Sequence, residues 1–332
     1  MSIHFFYCVF FAFCTQIALG KTTSETNTFP DHDVVVSHED PNGILQLYRK
    51  SCDGIHSEQL TRSRLGCRMP ACAPNGERLA FAEQTDHGIA LCISDLDGKN
   101  PITLVQQGVN LLPCWAPDSI HLIWMKVVSN TEKDPARNSQ LHIINTENGQ
   151  SRRLFTDPEQ LKYSNAMPSV SPDGSLIAFV SNREGMMRIW VSELNGSNAK
   201  LISKPDSPYH DVIDAPFEQK VPVWSPDGNR IAHWEGVEMT HMSPYTGISN
   251  PKRDQMIAST FHVWSVDKNG ENRKKIGKGD DPTWSPAGLL TRAFPDPRYN
   301  GPSVVLERKE GPLRLPIIPP GKNWGRFTWI PK

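Results

Sequence analysis

Short apolar runs recur along the whole chain and alternate with polar turns. In a representative unit, the segment SVSPDGSLIAF (169–179) is followed by a few polar residues and then by RIWVSE (188–193). The apolar runs are rich in β-branched and aromatic side chains, which is typical of strands buried within a sheet. Pro, Asp and Gly separate them, because proline presets the φ angle of a turn and glycine tolerates positive φ. The pattern predicts an all-β protein made of short strands and tight turns.

The same turn returns at intervals along the chain. Related segments are CAPNGERLAF (72–81), CWAPDSIHLIW (114–124), VPVWSPDGNRIAHW (221–234) and TWSPAGLL (283–290). Their prolines, with that of the last segment FTWIPK, are Pro74, Pro117, Pro172, Pro226, Pro286 and Pro331. Successive prolines are 43, 55, 54, 60 and 45 residues apart. Periods of this length with β-strand character indicate a β-propeller or another closed β array.

Each repeat holds four predicted strands. The first ends before the Pro-Asp-Gly turn, the second is apolar, and the third runs into a second turn, as in RIWVSELNG or FHVWSVDKNG. The fourth is short and polar, which suits the one blade edge that meets water. The C-terminal GRFTWIPK provides a first strand, and residues 33–37, 44–54 and 57–63 provide the other three. We therefore predict an all-β, six-bladed β-propeller closed by pairing of the C-terminal strand with the N-terminal blade.

The WSPDGxxIAF unit, followed by a strand ending in D-x-x-G, resembles the repeat of TolB-type β-propellers. The resemblance covers about residues 29–332. It implies the propeller fold and leaves the function open, because such propellers include binding scaffolds, accessory domains of peptidases and carbohydrate-active enzymes.

Two repeat positions predict packing rather than chemistry. His233 occupies the position held by Phe81 and Phe179 in other repeats, so we expect a packed core histidine. One aromatic side chain recurs two residues before the marker proline, which indicates core packing rather than a ligand platform. These residues are Trp115, Trp224, Trp284 and Trp329.

The N-terminal stretch IHFFYCVFFAFCTQIALG has the length and apolar character of a signal peptide and ends in small residues. It is shorter than the ~20 apolar residues of a membrane-spanning helix. We expect cleavage near Gly20, a secreted or periplasmic location, and no stable membrane insertion afterwards. The predicted organisation is a signal peptide at 1–20, a linker at 21–28 and one TolB-like propeller at 29–332.

Charge composition excludes one class of partner, and the cysteine count limits disulfide pairing. The chain has 35 basic and 36 acidic residues, with no block of like charge, so no nucleic-acid partner is expected. An odd number of cysteines follows the signal peptide, which leaves at least one thiol unpaired or in an intermolecular bond. We interpret these cysteines as small buried hydrophobic residues, and their pairing stays open. They are Cys52, Cys67, Cys72, Cys92 and Cys114.

Strand direction alternates within a blade, so the Pro-Asp-Gly turns share one face of the ring. The loops between second and third strands, and those between blades, share the opposite face, which we call the long-loop face. Predicted insertions at 126–139, 203–219 and 235–260 all belong to it. Long loops on a rigid scaffold are the usual place for binding or catalysis.

The second and third insertions flank one blade and are rich in His, Tyr, Arg and carboxylates. Such a set suits a sugar, an acidic oligosaccharide or a peptide terminus, and an ordinary solvated loop pair is the alternative. The candidate binding residues are His210, Asp211, Asp214, Glu235, Glu238, His241, Arg253 and His262.

Two function classes remain. The favoured one is an exported binding module or scaffold that docks a protein or glycan partner on the long-loop face. The alternative is a carbohydrate-active enzyme, a lyase or hydrolase of acidic oligosaccharides. In it, His241 or Tyr245 would act as acid or base, and Arg253 would neutralise a substrate carboxylate. His210, His241 and His262, with a nearby carboxylate, are candidate ligands for a divalent metal such as Mn, Ca or Zn. The family resemblance supports a metal in general, because oligogalacturonate lyases are related propellers that use a His-bound divalent metal, but their motif does not match these residues one by one.

Overall fold

The computed structural model describes residues 29–128, 135–203, 217–237, 252, 256–257, 259–296, 301–319 and 324–331. Nearly all regular structure in these ranges is β-strand. The helical elements with described bounds are a 3-10 turn at Pro135–Asn138 and one short α-helix, α1 (Pro158–Leu161). The all-β class is therefore confirmed.

The strands follow one another along the chain. Before α1 they are β1 (Asp33–Glu39), β2 (Leu45–Ser51), β3 (Ser57–Gln59), β4 (Cys67–Cys72), β5 (Arg78–Thr85), β6 (Gly88–Asp95), β7 (Ile102–Val105), β8 (Gly108–Trp115), β9 (His121–Val127), β10 (Ser139–Asn145) and β11 (Ser151–Arg153). After α1 they are β12 (Asn165–Val170), β13 (Leu176–Ser181), β14 (Arg188–Glu193), β15 (Lys200–Leu201), β16 (Phe217–Trp224), β17 (Arg230–Val237), β18 (His262–Asp267), β19 (Lys274–Lys278), β20 (Asp280–Trp284), β21 (Leu290–Asp296), β22 (Gly301–Leu306), β23 (Leu313–Leu315) and β24 (Trp324–Trp329).

Four-stranded antiparallel units are the building block of the molecule. Four separate sheets have the orders β24-β1-β2-β3, β12-β13-β14-β15, β16-β17-β18-β19 and β20-β21-β22-β23. The strands β4 to β11 form two further units that share one eight-stranded sheet. The two units join because Gly88 pairs in parallel with Gly108 and Ile89 with Val109. A side chain at Gly88 would approach the Gly108 carbonyl oxygen to 2.2 Å, so glycine permits this junction.

The two ends of the chain share a sheet. Strand β24 pairs with β1 in the register Val34↔Trp329, Val35↔Thr328 and Val36↔Phe327, as expected from the sequence. The first strands of consecutive units contact one another, in the order β24, β4, β8, β12, β16 and β20, and β20 also contacts β24.

A bulge with a left-handed residue recurs in these first strands. The residue before a strand proline has positive φ in five of them: Met69 (55°), Leu112 (52°), Met167 (52°), Val221 (56°) and Asp281 (46°). Non-glycine residues rarely adopt this conformation, and a β-bulge re-aims the side chain that carries it. The four apolar members belong to one apolar cluster that extends across β4, β8, β12 and β16. We call this place the bulge position, and Arg326 holds the corresponding place on β24, where the register against β1 also shifts.

Hydrogen bonds from the repeated tryptophans join neighbouring units. The Nε1 of Trp115 donates to the Ala71 carbonyl oxygen at 2.9 Å, and the Nε1 of Trp224 donates to the Ser169 carbonyl oxygen at 3.0 Å. The Nε1 of Trp284 donates to the Val223 carbonyl oxygen at 3.2 Å. Each bond crosses from one unit to the preceding one. The interpretation of these aromatics as core packing is confirmed.

The five cysteines are all free thiols, of which Cys52, Cys67 and Cys92 are buried in apolar clusters and Cys72 and Cys114 are partly buried. Burial raises the pKa of each thiol, to about 12 for four of them and to about 11 for Cys114. They act as small apolar side chains, which agrees with the sequence-based interpretation.

Candidate functional site

The strands β16 and β17 extend further toward the long-loop face than the sequence predicted. Glu218 and Gln219 pair with Gly236 and Glu235 in the β16–β17 ladder. The predicted insertion 203–219 therefore ends inside β16, and 235–260 begins inside β17. The insertion 126–139 begins inside β9, ends at the first residue of β10 and contains the turn at Pro135–Asn138. The error arose because buried polar side chains on these strand ends have the composition of a loop.

A buried polar cluster occupies this end of the sheet. Glu235 is 3% exposed, and its Oε2 accepts from Arg273 Nη2 at 2.6 Å and from Gln219 Nε2 at 3.1 Å. Gln219 Nε2 also donates to Ser203 Oγ at 3.1 Å. The Arg273 guanidinium lies over the Trp264 ring at 3.7 Å from its centroid. Glu235 is thus a paired, hydrogen-bonded carboxylate, which is how proteins hold a buried charge.

His233 lies beneath this cluster and is fully buried. Its Nε2 is 3.4 Å from Gln219 Nε2 and 4.0 Å from Glu235 Oε2. Burial, and then the charge of Arg273, lower the pKa of His233 to about 3. It remains neutral at ordinary pH, so the prediction of a packed core histidine is confirmed.

His262 is the second predicted binding residue that the structure describes. It lies directly across the ladder from Glu235 and is 6% exposed. Its Nδ1 is 2.9 Å from the Thr260 carbonyl oxygen, so Nδ1 carries the hydrogen and Nε2 is the acceptor. Burial lowers the pKa of His262, the Thr260 carbonyl raises it, and three cations lower it further. The cations are Lys275, Lys278 and Arg292.

These surroundings do not fit a divalent metal. The described residues contain no group of three or more His, Cys, Asp or Glu side chains arranged to hold a metal ion. Glu235 already accepts from Arg273, and the cations around His262 would repel a second positive charge. A metal site would depend on His210 and His241, which lie outside the described residues.

The structure describes only two of the eight predicted binding residues, and it brings Glu235 and His262 to the same sheet end. The others lie outside the described residues, as does the catalytic candidate Tyr245, and they stay predictions. They are His210, Asp211, Asp214, Glu238, His241 and Arg253.

Sequence reasoning missed a set of buried amides. Asn110, Asn165 and Gln219 each lie two residues before a bulge position, and all three are fully buried. Asn110 donates to the Ile89 carbonyl oxygen at 2.8 Å, and Asn165 donates to the Gln160 carbonyl oxygen at 2.9 Å. The signal was present as an amide-x-x-Pro spacing in VNLLP, SNAMP and EQKVP. These amides fasten the first strand of a unit to the segments beside it.

Comparison with known proteins gives the family. A profile for the TolB beta propeller domain matches residues 19–243. The chain belongs to the TolB beta propeller domain family. No helix in the described part of this family member is long and apolar enough to cross a membrane.

Curated relatives match over part of their length. The chain is 29% identical over 183 residues to a protein TolB homolog from Chlorobium luteolum, which covers 55% of this chain and 38% of that protein. It is 29% identical over 174 residues to the uncharacterized peptidase YuxL from Bacillus subtilis, which covers 50% of this chain and 22% of that protein. The chain thus spans well under half the length of these relatives.

Solved structures share the fold. TolB from Acinetobacter baumannii aligns with a TM-score of 0.66 at 17% identity, over 91% of this chain and 67% of that one. An oligogalacturonate lyase in complex with manganese aligns with a TM-score of 0.51 at 12% identity, over 86% and 72%. At these identities the likeness is one of fold alone.

Proposed function

We propose that this protein is an exported six-bladed β-propeller that binds a protein partner on its long-loop face. The ring is closed by β24 pairing with β1. Support for this ring comes from the unbroken series of contacts between first strands, from β24 through β20 and back to β24. Support for export comes from the apolar N-terminal segment, and support for protein binding comes from the similarity to TolB homologues.

One observation carries the proposal: the described strand ends that border the two insertions form a rigid base. Residues 204–216 and 238–251 are attached to the ends of β15, β16 and β17, next to the Gln219–Glu235–Arg273 cluster. That cluster is buried and hydrogen-bonded, and the sheet is latched to its neighbours through Trp224 and Trp284. A rigid base limits the entropy lost when loops engage a partner.

Site-specific photo-crosslinking tests this proposal. A benzoylphenylalanine at exposed Val128, on the loop between β9 and β10, reports on the long-loop face. The same group at exposed Asn148, in the turn between β10 and β11, is the matched control on the other face. We expect one or a few proteins to crosslink at Val128 in cells of the source organism and not at Asn148. Equal labelling from both positions, or none from Val128, would reject the proposal.

A second candidate function is action on acidic oligosaccharides. The cations Lys275, Lys278 and Arg292 around His262 favour it, because they would attract a substrate carboxylate. The proposed acid, base and carboxylate-binding residues remain His241, Tyr245 and Arg253, with a Mn, Ca or Zn ion as the proposed cofactor. Stoichiometric bound metal that is lost in His241→Ala would support the enzyme. Unchanged activity in a His241→Ala, Arg253→Ala double variant would reject the site.

A further inference from the structure

The guanidinium of Arg183 is held by neutral acceptors. Arg183 follows β13 in the connection to β14, on the long-loop face. Its Nε donates to Ser181 Oγ at 3.2 Å, and its Nη2 donates to Asn165 Oδ1 at 3.0 Å and also to Gln160 Oε1. The amide groups of Gln160 and Asn165 donate to backbone carbonyl oxygens, which turns their own oxygens toward Arg183. Three fixed acceptors thus define the plane of this cation.

Aromatic rings enclose the same guanidinium. Its central carbon lies 5.1 Å from the centroids of Phe179 and Trp190 and 6.0 Å from that of Tyr163. Cation–π contacts of this kind favour a positive charge and restrict its movement. Burial nonetheless lowers the pKa of Arg183 to about 10, with an opposing contribution from Tyr163. The site holds a cation but does not neutralise it.

Five other partly buried arginines bond to a carboxylate instead, in the pairs Arg49–Asp33, Arg230–Asp267, Arg273–Glu235, Arg292–Glu307 and Arg326–Asp281. Arg78 and Arg188 bond to neutral oxygens, as Arg183 does, but three aromatic rings surround Arg183 alone among the described arginines. Across the described ranges, Arg183 has no such ion pair, and its Nη1 makes no hydrogen bond. Polar atoms that are fully enclosed and make no hydrogen bond occur elsewhere in the described residues, but Arg183 Nη1 is not one of them. Nη1 is therefore accessible to solvent. A half-buried guanidinium whose Nη1 hydrogens are unused and solvent-exposed can donate them to a bound anion.

We propose that Arg183 binds the carboxylate of an acidic side chain on the partner protein. Nη1 donates to the carboxylate oxygens, while the neutral acceptors and the rings keep the fork in position. This inference deepens the proposed function, on which it relies for the ligand being a protein. A single carboxylate fits better than a polyuronate chain, because only the Nη1 end of this one guanidinium remains to bind an anion.

Protection of Arg183 from phenylglyoxal provides the test. The probe is acetyl-Gly-Glu-Gly-amide at millimolar concentration, its matched control is acetyl-Gly-Gln-Gly-amide, and modification of each arginine is followed by mass spectrometry. We expect the Glu peptide to slow modification of Arg183 by at least about threefold, since an ionised acceptor bonds more strongly than an amide. Modification of exposed Arg152 should not change. Equal rates with both peptides would overturn the proposal.

Further arms separate the remaining outcomes. If trigalacturonate protects Arg183 more than the Glu peptide does, the ligand is a saccharide and the peptide assignment is wrong. In an NMR titration, Arg183→Gln should abolish binding of the Glu peptide. Arg183→Lys should retain part of that binding, because the positive charge remains. If partners crosslink at Val128 but no peptide protects Arg183, this inference fails alone. If protection occurs without any crosslinked partner, Arg183 is a carboxylate site, and the partner protein assigned to it is rejected together with the proposed function.

Discussion

Arg326 donates from Nε to Asp281 Oδ1 at 2.6 Å, and this ion pair joins the first strands of the last unit and of the unit shared by the two chain ends. Both residues hold the bulge position, where the other four units carry Met69, Leu112, Met167 and Val221. The two side chains are only 21% and 16% exposed. Burial raises the pKa of Asp281, and Arg326 opposes that rise. Four of the six bulge positions are therefore apolar, and this ion pair occupies the other two.

Breaking this pair should destabilise the protein, whereas replacing it should not. We expect Asp281→Ala to lower the free energy of unfolding by about 3 kcal/mol, because it leaves a buried guanidinium without its partner. The double variant Asp281→Leu, Arg326→Met should be as stable as the original protein or more so, since it extends the apolar set. Urea denaturation of the single and double variants measures both values. A double variant weaker than Asp281→Ala would contradict this account.

The contribution of the tryptophan hydrogen bonds between units can be measured by removing a single indole N–H. Trp224→Phe removes the hydrogen bond to the Ser169 carbonyl oxygen and should cost about 1–2 kcal/mol beyond the loss of ring area. Trp234→Phe is the matched control, because Trp234 is equally buried and its Nε1 has no acceptor among the described residues. Thermal and urea unfolding of the two variants give the comparison. Equal destabilisation would mean that the inter-unit bond adds nothing.

Buried histidine should make stability fall in acid. The folded-state pKa of His233 is about 3, below its ordinary value of 6.5, so the unfolded chain binds a proton that the folded protein does not. The stabilisation is complete above pH 6.5 and is lost as pH falls toward 3, at up to about 1.4 kcal/mol per pH unit. His233→Phe, which installs the residue found at Phe81 and Phe179 in other repeats, should flatten this dependence.

His142 offers an internal comparison for that slope. Burial lowers its pKa to about 4, with smaller contributions from Lys126 and Arg153. His142→Gln should therefore flatten the same region over a narrower range of pH. Urea midpoints between pH 4 and pH 7 follow both variants. A slope that His233→Phe leaves unchanged would show that this side chain is not neutral in the folded state.

The cysteines should be inert in the folded protein. With thiol pKa values raised to about 11 or 12, few thiolates exist at pH 8, and iodoacetamide should label these sites only after unfolding. Ile55→Cys supplies a reactive reference, because Ile55 is 75% exposed. Peptide mapping by mass spectrometry reads each site separately. Rapid native labelling of Cys114 or Cys52 would disprove the buried, protonated thiol.

Local patterns predicted the sheets well. The turn Ser171-Pro172-Asp173-Gly174 forms as expected, with Asp173 accepting from Ser171 and Ser175 and Gly174 at φ 74°. The pairing of β24 with β1 was also expected, since the two chain ends held complementary strand sets. Prediction failed where polar residues continue a strand, as at Glu218 and Glu235. Composition alone does not distinguish a solvated loop from a buried hydrogen-bonded strand end.

The candidate site was only partly predictable. Glu235 and His262 were named from composition, but their direct pairing across β17 and β18 depends on register. Arg183 gave no signal, because its acceptors Gln160, Asn165 and Ser181 come from three separate segments. Only the packed fold shows that these acceptors are neutral and that no described carboxylate joins them.

By itself, the sequence determined the short strands, the Pro-Asp-Gly turns, the repeating four-strand unit and the sheet that unites the chain ends. These features depend on neighbouring residues, whose turn preference and apolar pattern act over a few positions. The tertiary structure alone decided that Asp281 meets Arg326, that Glu235 meets Arg273 and that the Arg183 cation has no carboxylate partner among the described residues. Such meetings depend on how the bulges re-aim side chains and how units pack, and no local pattern encodes that geometry.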